Sequence, residues 1–123
     1  VSTELPGGGV SPGSARVPSM TPLEVRHALE RPASDLLLLD VRERAELALA
    51  HVEGALTIPM SELSSRWGEI PRDRPIAVLC HHGIRSWQVA AALLAQGWTH
   101  VANVSGGIER WSLEADPRVA RYG

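Results

Sequence analysis

Residues Pro75 to Gly97 read PIAVLCHHGIRSWQVAAALLAQG, an apolar run, a polar loop and a helical pattern in immediate succession. The run Ile76 to Cys80 is too short for a helix and has breakers on both sides, which suits a strand buried on both faces of a parallel sheet. Trp87 to Gln96, ended by Gly97, has the composition and spacing of a helix. Working outward, Leu36 to Asp40, Leu56 to Ile58 closed by Pro59, and Val101 to Val104 closed by Ser105 and two glycines repeat the strand signal. Helical patterns lie between them over roughly Glu43–Ala50, Ser61–Trp67 and Ile108–Trp111. Thr21, Pro22 and Glu24 make a capping box with proline at the first helical position, starting a helix that runs to about Leu29. Strands alternating with helices at this spacing predict a three-layer α/β/α domain on a mostly parallel central sheet of about five strands.

A chain of 123 residues is the size of one domain and leaves room for a single site. Residues 1–15, VSTELPGGGVSPGSA, have the Gly, Pro and Ser content of a flexible leader, so the domain is expected over 16–123 with its C-terminal tail included. All twelve basic residues are arginine, and fourteen acidic ones bring the formal charge to −2, which gives no pull toward nucleic acid or anionic lipid. No window reaches the run of about eighteen apolar residues that a membrane span needs, so no membrane partner is expected. One cysteine rules out an internal disulfide and a multi-cysteine zinc site; it fits a reducing compartment, and the expected location is cytoplasmic.

In an open parallel sheet the ligand crevice lies outside the carboxyl ends of the strands. Asp40 and Cys80 each end an apolar run and therefore belong to the same edge. The segment after Cys80 is then a strand-to-helix loop, with Ser86 placed to cap the helix and the helix N-terminus directed back at the sulfur. Such a terminus together with Arg85 makes the surroundings in which a cysteine becomes nucleophilic. Gly83 allows turns that bring successive backbone N–H groups onto one anion, and Arg85 offers a planar fork of donors to an oxyanion. His81 and His82 invite a metal reading. Adjacent histidines point different ways, however, and no His-x3-His pattern accompanies them, so no metal is expected and they are read as shaping the loop.

The loop CHHGIRS resembles the active-site loop of single-domain rhodaneses, the thiosulfate sulfurtransferases. The resemblance extends over about Pro18 to Trp111: LLLLDVRERAE is similar to that family's strand ending in Asp-Val-Arg, HVEGALTIP to its His-Ile-x-Gly-Ala-x-Asn-Ile-Pro segment with Thr57 where Asn is usual, and GWTHVANVSGGIERW to its closing strand and Gly-Gly-x-x-x-Trp turn. It implies a rhodanese-like fold, no cofactor, and sulfur transfer through a persulfide on Cys80. Substrate would lie against His81, His82, Gly83, Ile84, Arg85 and Ser86. Asp40 and Arg42 would support the loop, as a structural ion pair, and His51 and Gly54 would be turn residues. The implied partners are a small anionic sulfur donor and a thiophilic acceptor, and a sulfur-accepting protein would fit as well.

Three other readings stand beside this one. A relay could pass persulfide from protein to protein in cofactor sulfuration or sulfide handling. A rhodanese-like domain could also serve as a non-enzymatic binding or regulatory module, although such modules commonly lack the cysteine that is kept here. Cysteine phosphatases use a similar thiolate cradle with five residues between Cys and Arg. Here only four, HHGI, intervene, and the shorter loop suits one sulfur atom better than a phosphate.

Overall fold

The structure is a computed structural model, and it describes residues 16–123; the predicted leader, residues 1–15, lies outside them. Five parallel strands form the sheet: β1 Ser19–Met20, β2 Leu37–Asp40, β3 Leu56–Thr57, β4 Ile76–Leu79 and β5 Val101–Val104, in the order β1-β5-β4-β2-β3. Helices α1 Pro22–Glu30, α2 Arg44–Leu47, α3 Leu63–Arg66 and α4 Ile84–Ala95 lie between successive strands, and α5 Gly107–Glu114 follows β5. β4 sits at the centre, with Leu79 opposite Asp40 on β2 and Val78 opposite Asn103 on β5. The strand carrying Cys80 at its end is therefore shielded from solvent on both edges.

The continuous apolar runs follow from burial on both faces. Leu37, Leu39, Ile76, Val78 and Cys80 pack with Val89, Ala90 and Leu93 of α4 on one side. Leu38, Ala77 and Leu79 pack with Val25 of α1 and with Ile108 and Trp111 of α5 on the other. Alternate residues thus serve alternate layers, and no polar side is needed.

Several boundaries differ from the sequence expectation. β1 has only two residues, too short for periodicity to reveal, and forms because β5 offers it an edge. The pattern over 43–50 yields helix only at Arg44–Leu47. The pattern over 61–67 becomes two 3₁₀ turns, Met60–Glu62 and Trp67–Glu69, around α3. α5 continues past Trp111 to Glu114. The α1 cap is as expected, with Thr21 Oγ1 accepting from the Glu24 N–H at 3.1 Å and the Thr21 N–H donating to Glu24 at 2.8 Å.

Candidate functional site

Cys80 follows β4 directly and is only 1 % exposed. Its sulfur meets three donors: the Gly83 N–H at 3.1 Å, the Ser86 N–H at 3.3 Å and the Ser86 hydroxyl at 3.2 Å. α4 begins at Ile84, capped by Gly83 at φ +97°, so Ser86 is the third helical residue and not the cap that its sequence position suggested. The helix starts early because Gly83 turns the chain through the left-handed region, where side chains are strained. A Cβ on Gly83 would also lie 3.0 Å from the Gly106 nitrogen. The early start aims the first turn of a twelve-residue helix at the sulfur.

The back of the loop is held by α5. Its Ile108 N–H donates to the Cys80 carbonyl at 2.8 Å and its Glu109 N–H to the His81 carbonyl at 3.1 Å. With these two carbonyls held, the N–H groups of Gly83 and Ser86 reach the sulfur. Asn103 on β5 fixes the front: its amide donates to the Gly83 carbonyl at 3.0 Å, which leaves its oxygen facing the Ser86 hydroxyl at 2.5 Å. A hydroxyl has one proton. Ser86 therefore donates either to Asn103 or to the sulfur, and in the first state its lone pair can accept from a thiol S–H.

Arg85 does not face the sulfur through any hydrogen bond. Its two terminal nitrogens each reach a carboxylate oxygen of Glu46 at 2.7 Å. Tyr122 donates its hydroxyl to the same carboxylate at 2.9 Å and accepts from Arg42 at 3.2 Å. The Arg85 hydrogen bonds, opposed by burial and aided by the Glu43 backbone and Tyr122, hold the Glu46 carboxyl down at about 2. Arg42 in turn is fully buried against Asp40, with nitrogen–oxygen distances of 2.7, 2.9 and 3.1 Å. The pair lies at the end of β2, and Arg42 also donates to the Glu46 carbonyl of α2 at 3.3 Å.

The histidines face the C-terminal segment. His81 stacks between His82 and the Tyr122 ring, with centroids 3.9 and 4.0 Å away, and its Nε2 lies 2.9 Å from the Tyr122 carbonyl. Ile84 projects from the loop, 71 % exposed. Among the described residues no three His, Cys, Asp or Glu side chains gather as metal ligands, and no helix is long and apolar enough to cross a membrane. A cavity of about 390 Å³ lined by His82, Glu109, Arg121, Tyr122 and Gly123 adjoins the loop. Another of about 450 Å³ lies around Pro75 and His100, before β4 and β5 begin and at the opposite edge from the sulfur.

The structure thus brings Cys80, Gly83 and Ser86 together, turns Arg85 to Glu46, and leaves His81, His82 and Ile84 at the rim. Sequence reasoning missed Asn103, Glu46 and Tyr122. Asn103 had a signal, since it is the polar residue inside the apolar strand VANV. Glu46 and Tyr122 had none, because the contact between them spans 76 positions.

Fold and site together define a parallel α/β domain with one buried thiol, faced by backbone N–H donors, in the loop at the end of its central strand. The chain belongs to the family described as the rhodanese-like domain, which matches residues 21–114. It is 42 % identical over 89 residues to a sulfurtransferase of Allochromatium vinosum, covering 72 % of this chain and 83 % of that protein. It is 34 % identical over 77 residues to the thiosulfate sulfurtransferase GlpE of Coxiella burnetii, covering 63 % and 72 %. The probable adenylyltransferase/sulfurtransferase MoeZ of Mycobacterium tuberculosis is 32 % identical over 111 residues, 89 % of this chain but only 28 % of that longer protein. Among solved structures, a rhodanese-related protein from Thermoplasma volcanium superposes with a TM-score of 0.71 at 32 % identity, over 85 % of this chain and 99 % of that one. Sulfur transfer is the activity this membership supports.

Proposed function

We propose that the protein carries sulfane sulfur as a persulfide on Cys80. The observation that supports this most directly is the pair of backbone donors on one sulfur, Gly83 N–H and Ser86 N–H, which the Ser86 hydroxyl joins when its proton turns from Asn103. Donors fixed in place stabilise negative charge on sulfur without reorganising when it develops. In the first half-reaction the Cys80 thiolate attacks the outer sulfur of a donor. A new S–S bond forms at Cys80, and the donor's own bond breaks with its electron pair on the leaving group, sulfite from thiosulfate or a thiolate from an organic persulfide. An acceptor nucleophile then takes the outer sulfur and returns Cys80 to the thiolate. Near-complete burial of Cys80 restricts attack to a terminal sulfur, which both kinds of donor present.

Thiosulfate is one donor in this reading, supported by the resemblance to GlpE. Transfer to a protein acceptor is a second reading, favoured by the occurrence of a similar segment within a longer chain named adenylyltransferase/sulfurtransferase. Either chemistry needs the free thiol that a reducing compartment such as the cytoplasm maintains. Intact-mass measurement after exposure to thiosulfate or an organic persulfide tests the proposal. Addition of one sulfur atom at Cys80, reversed by cyanide or dithiothreitol, is expected, and an unmodified protein under excess of both donors would overturn it.

A further inference from the structure

The arginines that hydrogen bonds tie to this edge do not stand alone. Arg42 is held by Asp40, Arg85 by both oxygens of Glu46, and Arg121 by Glu109 at 2.6 Å. Each pair sums to no charge. This matters because the two candidate donors differ in charge at the reacting end. Thiosulfate is a compact dianion approaching a thiolate, and it expels a sulfite dianion. A hydropersulfide R–S–SH brings at most one charge and expels a monoanionic thiolate. A guanidinium whose fork is filled by a carboxylate offers little net attraction to the more highly charged approach.

We propose that Glu46, oriented by Tyr122, is a specificity-determining residue that masks Arg85 and turns the site from doubly charged donors toward thiol hydropersulfides. The proposal rests on the persulfide chemistry assigned to Cys80 above. The geometry is a clamp: Arg85 occupies one side of the carboxylate with two bonds of 2.7 Å, and the Tyr122 hydroxyl reaches Oε1 at 2.9 Å while Arg42 holds that hydroxyl at 3.2 Å. Tyr122 is itself fixed by its stack on His81 and by the contact of its carbonyl with the His81 ring. Glu46 is thereby set by residues from three separate parts of the chain. Because Arg85 keeps its carboxyl down at about 2, the mask persists across the neutral range. In the hydropersulfide reaction the bond between Cys80 Sγ and the donor's terminal sulfur forms as the donor's S–S bond breaks. The electron pair leaves on the donor thiolate, and no outside oxidant or reductant is consumed.

The test compares kcat/KM for thiosulfate with that for the hydropersulfide of N-acetylcysteamine, whose body is uncharged. Cyanide serves as the common acceptor, and the uncatalysed reaction is subtracted. Glu46→Gln removes the charge and keeps the shape. The ratio of the two constants is expected to move about tenfold toward thiosulfate, the scale of one unmasked charge beside an anion at the protein surface. The double variant E46Q/R85A, with both charges gone, should return the ratio toward that of the wild type. Loss of folded enzyme lowers both constants together and leaves the ratio in place, so a merely structural role for Glu46 would not move it. An unmoved ratio in Glu46→Gln, or one that shifts toward the hydropersulfide, overturns the proposal. Should that variant not fold, Tyr122→Phe decides: a smaller shift toward thiosulfate supports the clamp, and no shift overturns it. Failure of the persulfide chemistry itself is read separately, as wild-type protein that gains no sulfur from either donor.

Discussion

Ser86 shows how much can depend on one hydroxyl. It is fully buried, and its oxygen lies within hydrogen-bond reach of both the Cys80 sulfur and the Asn103 side-chain oxygen. Ser86→Ala leaves that Asn103 oxygen without the partner it has now, at a cost of about 1–3 kcal/mol for a buried unpaired acceptor. It also removes the donor that the sulfur gains when the hydroxyl turns from Asn103 to it. Loss of one fixed donor at a developing anion costs on the order of 10²-fold where oxygen carries the charge, and the softer sulfur should lose less, about tenfold. Urea denaturation and the rate of persulfide formation at Cys80 should report these two effects independently, with Ser86→Thr restoring both because it keeps the hydroxyl. A rate in Ser86→Ala equal to that of the wild type would remove the hydroxyl from the chemistry and leave it a packing role.

The decisive element is the start of α5, which serves the loop from behind. Gly107 has φ +63°, and a Cβ there would fall 2.3 Å from the His81 carbonyl oxygen and 2.5 Å from that of Cys80. Gly107→Ala therefore meets backbone strain and a backbone clash at once, and should destabilise the fold by about 2 kcal/mol or more while slowing persulfide formation. A thermal melt checks the first part; an unchanged Tm would mean that α5 can withdraw without cost. The same element shows what the sequence could and could not reveal. The glycines after VANV marked the strand end, and CHHGIRS marked a strand-to-helix loop, because glycines and short apolar runs report local backbone needs. Where a helix begins depends on contacts from elsewhere. α4 starts three residues earlier than its side-chain pattern does, because Gly83 packs against Gly106 and its carbonyl is held by Asn103. Likewise Arg85 could be read as a cation near the sulfur, but its pairing with Glu46 crosses 39 positions and leaves no local trace.

At the scale of the whole molecule, carboxylates held by arginines tie this fold's stability to acid: Glu69 beside Arg66 and Glu109 beside Arg121 are held below the usual range, and Glu46 and Asp116 most strongly. Glu46, held mainly by Arg85, titrates at about 2 against an ordinary 4.5, and Asp116, held mainly by Arg118, at about 2 against 3.8. Both folded values lie below the unfolded ones, so the stabilisation is complete above the unfolded values and is lost as pH falls toward the folded ones. Between those limits the unfolded chain binds protons that the folded chain does not. Asp116 is itself only 17 % exposed, but its partner Arg118 is 81 % exposed, so salt and solvent weaken the pair's share. The partner of Glu46, Arg85, is only 32 % exposed, and the pair lies beside the loop, so Glu46 should dominate the acid limb that the site feels. The urea midpoint of the wild type should be flat above about pH 5 and fall between about pH 4.5 and 2, and Glu46→Gln, lower at neutral pH, should fall less over that interval. Curves that run parallel through the acid range would mean that Glu46 is not clamped as tightly as its two 2.7 Å contacts imply. The same titration bears on donor choice: above about pH 5 the carboxylate stays ionised, so its masking of Arg85 should not change with pH.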